Sequence, residues 1–175
     1  MSNRARAQSS LYDLPDASLA WQTMPPTPLP PLVFQNSEGQ MEAVSNFAGH
    51  VLLVNLWATW CGPCKAELPT FDALAPKLRP FGGKILPISV DASGIDTIKA
   101  YFVAENIQNL PILSDASGED LSLMQSQGIP VTAVVRPDGK AVAVLEGAAN
   151  WNSQGVVEFL HKLATDHAAG AGGYS

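Results

Sequence analysis

The chain alternates between short apolar runs and apolar stripes at helical spacing. Residues 50–58 (HVLLVNLWA) are almost continuously apolar, which is typical of a strand buried on both faces of a sheet. A second run of this kind, KILPISV, ends at Asp91. Between the two runs, apolar residues recur every three or four positions over residues 62–79, which predicts an amphipathic helix kinked by Pro69 and Pro76. The pattern therefore predicts parallel strands joined by a helix.

The second half of the chain continues this alternation and then changes to a hairpin. A helix is expected from Ile95 to about Asn106, then a short extended segment at LPILSD and a shorter helix over residues 119–127. VTAVVRPDGKAVAVLEG contains two β-rich runs joined by the turn sequence RPDG, which predicts an antiparallel hairpin. A closing helix is predicted by the apolar stripe Val156, Val157, Leu160, Leu163 and Ala164.

The two ends of the chain differ in composition from this central region. Residues 1–31 contain six prolines and are interpreted as an extended linker, in which Trp21 either belongs to a short helix or lies against the domain. Residues 166–175 are rich in small residues and are expected to be a flexible tail. The domain therefore spans residues 32–165. It begins with LVF and MEAV, which are predicted to form a hairpin or two short edge strands.

Composition and charge argue against two classes of partner. The 175 residues are 46% hydrophobic, which suits one globular domain with an extension. The formal net charge is −6 and only 15% of residues are charged, so no basic field exists to attract nucleic acid. No apolar run reaches the roughly 18 residues of a membrane helix, and MSNRARAQSS has no apolar segment behind its positive charges. We therefore expect a chain without a membrane span, either cytoplasmic or separated from a signal or anchor.

Both cysteines of the chain lie within WATWCGPCKAELP, residues 57–69. A bridge between residues three apart closes a very short loop and adds little stability, so the pair indicates chemistry. Cys61 follows a buried strand and opens a helix, where free N–H groups and the helix dipole favour a thiolate and can lower a cysteine pKa from about 8.5 to roughly 3.5–7.5. Cys64 lies one turn further on the same face. Cys61 can therefore attack a partner's disulfide and Cys64 can resolve the mixed disulfide, with no bound cofactor.

Metal binding is the alternative use of two thiols. A zinc site needs two further ligands, and the chain has only three histidines, of which His161 and His167 lie far along the sequence from the motif. Thiolates also hold Cu(I), although no Met or His flanks the motif. We therefore expect redox chemistry and no bound metal, with a copper-binding chaperone and a redox-inert adaptor as alternatives.

WATWCGPCKAELP, preceded by VLLVN, resembles the motif of the thioredoxin superfamily. The resemblance is closer to its exported branch, the TlpA, ResA and CcmG group of thiol–disulfide oxidoreductases, and it covers roughly residues 32–165. It implies an α/β thioredoxin-like fold, with a central mixed β-sheet flanked by helices and an N-terminal β-hairpin extension. It also implies an extra segment, an insert over residues 91–120.

The resemblance also implies which residues form the site. QGIPVTAVV matches the superfamily's loop before the hairpin, so Pro130 looks like its cis-proline and Ile129 would offer its backbone N–H and C=O groups to an extended substrate. Asn55 stands where cytosolic thioredoxin has a buried aspartate, and it cannot accept a proton. Glu67 occupies the branch's acidic position and is either a proton acceptor for the second cysteine or a surface residue that stabilises the helix start. Trp60 is expected to be a packing and lid residue beside the substrate.

The same branch implies a periplasmic protein-disulfide reductase that serves cytochrome c or cytochrome oxidase maturation. Its partners would be proteins with cysteine pairs and a membrane thiol–disulfide electron donor, and we expect a monomer that binds no nucleic acid. A general disulfide oxidase or isomerase is the alternative within the same chemistry, because thioredoxin-like folds include both reductants and oxidants. The motif leaves the direction of electron flow open.

Overall fold

The computed structural model describes residues 13–171, which contain an eight-stranded mixed sheet. In chain order the strands are β1 (Gln22–Pro28), β2 (Val33–Gln35), β3 (Met41–Ala43), β4 (Leu52–Trp57), β5 (Lys84–Ser89), β6 (Leu113–Ser114), β7 (Val131–Val135) and β8 (Lys140–Glu146). The helices are α1 (Ala17–Ala20), α2 (Gly62–Leu78), α3 (Ile95–Ala104), α4 (Glu119–Leu123) and α5 (Gln154–Ala171), with 3-10 turns at Val44–Phe47 and Arg79–Phe81. Across this described part of the chain, no helix has the length and apolar character needed to cross a bilayer.

The strands run across the sheet in the order β1-β8-β7-β4-β5-β6-β2-β3. β4 pairs in parallel with β5, which in turn pairs in parallel with β6. The remaining pairings are antiparallel, and they include the predicted hairpins β7–β8 and β2–β3. All six residues of β4 are buried, as its apolar run predicts. The mixed sheet flanked by helices is therefore confirmed.

Side chains of β4 alternate between two apolar cores, because successive residues of a strand point to opposite faces. Leu53 belongs to the core that also contains Phe71 of α2, and residues of α3 and α5 complete that core. Val54 belongs to the other core, together with Phe34 of β2. Asn55 shares the face of Leu53, so the strand directs this amide towards α2.

The proline-rich segment differs from its prediction. Residues 1–31 are predicted to be a linker, but β1 forms one edge of the sheet and pairs antiparallel with β8. An edge strand tolerates its two consecutive prolines because N–H groups on the open side have no strand partner. The pairing register shifts between Thr23 and Thr27, where these prolines lie. The first part of the predicted linker, residues 1–12, lies outside the described residues.

The residues before β1 also pack on the domain. α1 is the short helix expected around Trp21, and its N-cap Asp16 accepts a hydrogen bond of 2.9 Å from the N–H of Ser18. The centroid of the Trp21 ring lies 4.9 Å from that of Phe159 and 6.1 Å from that of Trp151. Trp21 therefore packs the start of the described chain against the core.

Two predicted helices end earlier than expected and one ends later. α3 and α4 are each followed by a non-glycine residue with positive φ, Asn106 at 54° and Gln125 at 53°, and this left-handed conformation stops a helix. The final helix continues to Ala171, into the segment predicted to be a tail, residues 166–175. Residues 172–175 of that predicted tail lie outside the described residues.

Trp21→Ala is expected to lower the free energy of unfolding by about 2 kcal/mol, because the half-buried ring leaves a gap beside Phe159. Leu19→Ala is the matched control in the same segment. Leu19 is 87% exposed, so its truncation should change the stability by less than about 0.5 kcal/mol. Urea unfolding followed by circular dichroism measures both variants, and equal small effects would mean that the segment behaves as a linker.

Candidate active site

The two cysteines meet at the start of α2, directly after β4. They form a disulfide with a Cα–Cα distance of 5.3 Å. Cys61 is the N-cap of the helix, and its sulfur accepts a hydrogen bond of 3.3 Å from the N–H of Cys64. Pro63 fits in the first turn because the N–H that it lacks would have no intrahelical partner. The Cys61 sulfur thus lies among free N–H groups at the positive end of a 17-residue helix, as the sequence predicts.

The loop before β7 lies beside this disulfide. The peptide bond between Ile129 and Pro130 is cis, which confirms that prediction. The carbonyl oxygen of Ile129 lies 3.8 Å from the Cys61 sulfur. Trp60, which precedes Cys61 in the chain, is 69% exposed, whereas the two cysteines are almost completely buried. The structure therefore places Ile129 beside Cys61 and leaves the adjacent Trp60 exposed, and their contacts with substrate stay a prediction.

Glu67 is not on the surface, so that alternative for this residue is wrong. Its side chain is only 1% exposed, one turn of α2 after the cysteines. Oε1 accepts a hydrogen bond of 3.1 Å from the Nδ2 of Asn55. Oε2 accepts two more, 2.9 Å from the indole Nε1 of Trp151 and 3.0 Å from the N–H of Ala149. This carboxyl group therefore joins α2, β4 and the loop after β8.

Burial makes the Glu67 carboxyl group a weaker acid than an exposed glutamate. It raises the pKa of Glu67 from 4.5 to about 7, although the hydrogen bonds from Trp151, Ala149 and Asn55 act in the opposite direction. A carboxyl group with this pKa can take up and release a proton near neutral pH. That this carboxyl group accepts the proton of the Cys64 thiol stays a prediction.

Asn55 can adapt to either protonation state of its neighbour. Its Nδ2 donates to Glu67 and also, over 3.0 Å, to the hydroxyl of Thr132. Its Oδ1 is buried and has no hydrogen-bond partner among residues 13–171. Rotation of the amide by 180° would turn Oδ1 towards a protonated Glu67, which can then donate to it.

Sequence reasoning identified Glu67 and Asn55 but missed two hydrogen-bond donors to Glu67. Trp151 and Ala149 lie more than 80 residues away along the chain, and no motif marks them. The only signal was Trp151 itself, a large side chain directly before the closing helix, which donates through its indole when it is buried. Its ring also stacks on Phe71 of α2, with centroids 5.1 Å apart.

Two of the three histidines contact groups away from the motif. The Nδ1 of His50 donates to the carbonyl oxygen of Gly82 over 2.8 Å, and His161 packs edge-on against Phe81. Within residues 13–171 no group of three or more His, Cys, Asp and Glu side chains is placed to hold a metal ion. The zinc alternative therefore has no ligand set in that part of the chain.

After reduction, Cys61 is expected to react with iodoacetamide faster than Cys64 near neutral pH. Its sulfur is at the helix terminus and its residue is 6% exposed, against 1% for Cys64. Limited alkylation followed by peptide mass spectrometry measures the ratio. Equal labelling of the two cysteines would contradict this difference, and Cys64→Ser, which leaves only Cys61, provides the reference rate.

The stability of the oxidised protein is expected to fall between about pH 4.5 and pH 7. In this window the unfolded chain has lost the Glu67 proton while the folded protein still holds it, so rising pH favours unfolding, by about 3 kcal/mol in total. Glu67→Gln removes this titration. The difference between the urea-unfolding curves of the two proteins should therefore change across the window, and a constant difference would contradict the raised pKa. Asp120, whose pKa burial also raises, to about 6, is present in both proteins and cancels.

Several known proteins are similar to this chain in sequence. It is 31% identical over 105 residues to the thiol-disulfide oxidoreductase ResA of Oceanobacillus iheyensis, covering 60% of this chain and 54% of that protein. It is 28% identical over 134 residues to ResA of Bacillus thuringiensis subsp. konkukian, covering 77% of this chain and 75% of that protein. The chain thus spans about half the length of the first of these relatives and three quarters of the second.

The fold is shared with solved structures. A Chlorobium tepidum protein assigned as the thiol:disulfide interchange protein DsbE superposes with a TM-score of 0.66 at 21% identity, over 83% of this chain and 98% of that one. This similarity confirms the thioredoxin-like fold. The family match covers residues 23–144, and it extends from β1 into β8. The chain therefore belongs to the AhpC/TSA family.

Proposed function

We propose that this protein is a periplasmic protein-disulfide reductase that acts in cytochrome c or cytochrome oxidase maturation. The observation that supports it most is the Cys61–Cys64 pair at the start of α2, with the Ile129 carbonyl oxygen 3.8 Å from the outer sulfur. Its relatives are named ResA, and one structural neighbour is assigned as DsbE. The location and the maturation role follow from the resemblance to the TlpA, ResA and CcmG group.

In this reaction Cys61 is the nucleophile and Cys64 resolves. The Cys61 thiolate attacks one sulfur of a substrate disulfide, so that a mixed disulfide forms and the other substrate sulfur leaves as a thiolate that takes up a proton. Cys64 then gives its proton to Glu67 and attacks the Cys61 sulfur, which releases the second substrate thiol. Two electrons pass from the cysteine pair to the substrate. A membrane thiol–disulfide donor would restore the reduced pair.

The surface beside Cys61 accounts for the substrate class. The backbone of Ile129 would pair with an extended segment of the substrate, as in the superfamily, and the exposed ring of Trp60 would pack against it. The protein carries a net charge of −6, so it offers no general electrostatic attraction to acidic clients, which it repels. Both features fit a reductase with few clients that present a cysteine pair in an extended segment.

The substrate preference is tested with two disulfides. The reduced protein should reduce an oxidised peptide that contains the haem-attachment sequence C-x-x-C-H at least about tenfold faster than it reduces insulin, since specificity requires a difference of about 1.4 kcal/mol in transition-state binding. Stopped-flow fluorescence under single-turnover conditions measures both rates. Cys61→Ser is the control and should abolish both reactions.

Other outcomes would support the alternative functions. Equal rates with the peptide and insulin would indicate a general oxidoreductase or isomerase. A folded protein that reduces neither would indicate an adaptor, or a copper chaperone if the reduced protein binds one Cu(I) ion in a competition with a chromophoric chelator. The reduction potential of the Cys61–Cys64 couple, measured against glutathione, determines whether the protein is a reductant or an oxidant.

A further inference from the structure

Asp91, which follows β5, is buried and engaged although its position after a strand is also typical of an ordinary turn residue. Its side chain is only 2% exposed. One carboxylate oxygen accepts hydrogen bonds from the N–H of Thr59 over 2.9 Å and from the hydroxyl of Ser89 over 2.6 Å. The other accepts a bond of 2.6 Å from the hydroxyl of Thr59. The ion pairs found within residues 13–171 do not involve Asp91.

Thr59 belongs to the turn that connects β4 to the cysteines. The N–H of Cys61 donates to the carbonyl oxygen of Ala58 over 3.2 Å, which closes a tight turn around Thr59 and Trp60. The hydrogen bonds between β4 and β5 end just before this turn, where the N–H of Val90 donates to the carbonyl oxygen of Trp57. The hydrogen bonds of the Asp91 side chain therefore join the end of β5 to this turn.

The turn determines how Trp60 is presented. Trp60 is 69% exposed, so its position depends on the backbone of the turn more than on burial of its ring. Its neighbours on both sides are fixed, Thr59 by Asp91 and Cys61 by the start of α2. Removal of the Asp91 side chain would take both of these hydrogen bonds from Thr59, whereas the bond from the N–H of Cys64 to the Cys61 sulfur does not involve Asp91.

We propose that Asp91 is a positioning residue for protein substrates, which acts through Thr59 to hold the turn that presents Trp60 beside Cys61. A carboxylate suits this role because Thr59 and Ser89 together offer three donors, and a carboxylate can accept all of them. Burying an anion without a cation is costly, and the three hydrogen bonds offset that cost. A residue retained only to close the turn after β5 would not need these contacts with the motif.

This inference rests on the proposed exchange reaction, and the test separates the two. Each variant is assayed with two substrates. The first is the small disulfide 5,5′-dithiobis(2-nitrobenzoic acid), which reports the Cys61 thiolate. The second, called the larger substrate, is the C-x-x-C-H peptide or insulin, whichever the unmodified protein reduces faster. Loss of both reactions in the unmodified protein would refute the proposed function. An unmodified protein that reduces only the small disulfide would refute the proposed action on protein substrates. An unmodified protein that reduces both, together with an Asp91→Ala variant that shows no selective loss on the larger substrate, would refute only the positioning role.

Asp91→Ala should lower kcat/KM for the peptide or protein substrate by about tenfold or more, since misplacing a substrate contact by about 1 Å can cost that much or more. The rate with the small disulfide should change less than about twofold. Asp91→Asn keeps the shape and one acceptor, so its loss should be intermediate. Equal losses on both substrates would overturn the proposal, because general destabilisation does not distinguish between them.

Thr59 provides a second pair of variants that does not depend on the folding of Asp91→Ala. Thr59→Ser keeps the hydroxyl and should retain at least about half of the rate with the larger substrate, whereas Thr59→Val loses the hydrogen bond and should lose about threefold or more, as expected for a bond worth about 1 kcal/mol. Equal rates for the two variants would contradict the proposal.

A double-mutant cycle identifies Trp60 as the group that Asp91 acts through. Trp60→Ala alone should lower the rate with the larger substrate, and adding Asp91→Ala should lower it less than about twofold further, because the positioned ring is already absent. Multiplication of the two effects would mean that Asp91 acts independently of Trp60 and would overturn the proposal.

Discussion

The burial of β4 on both faces is the constraint on which the site depends. β4 lies between β5 and β7, and its six residues are all inaccessible to solvent, so the strand has a single possible position in the domain. Its last residue, Trp57, lies four positions before Cys61, the N-cap of α2. The sulfur of Cys61 is therefore placed at a helix terminus by the packing of the strand behind it, and the chemistry follows from free N–H groups at that terminus.

Polar groups interrupt this apolar packing at one place behind the cysteines. Asn55 lies on the α2 face of β4 and meets Glu67, which also accepts hydrogen bonds from Trp151 and from the loop after β8. Burying a carboxyl group is costly unless it is protonated or hydrogen-bonded, and here both conditions are within reach near neutral pH. The same network joins three elements, and its carboxyl group is the one proposed to accept the proton of Cys64.

The start of the described chain contributes to this network from outside. Trp21 packs against Trp151, whose indole donates to Glu67, and β1 closes the edge of the sheet beside β8. The segment therefore packs against the side chain that donates to the Glu67 carboxyl group. On the opposite side of the motif, Asp91 and Thr59 fix the turn before Cys61. The buried carboxyl group of Asp91 thus contacts the residues before Cys61, and that of Glu67 lies after Cys64.

The sequence by itself determined the central strands, the α2 helix, the hairpin β7–β8, the cysteine pair and, through its resemblance, the cis bond at Pro130. These features depend on local signals: apolar runs, helical spacing, turn residues and a motif of few residues. Only the tertiary structure decided that β1 joins the sheet, that Glu67 and Asp91 are buried, and that Trp151 is a partner of Glu67. The physical reason is that burial and hydrogen bonding between residues distant along the chain depend on how the elements pack. Proline content and a position after a strand give no information about that packing.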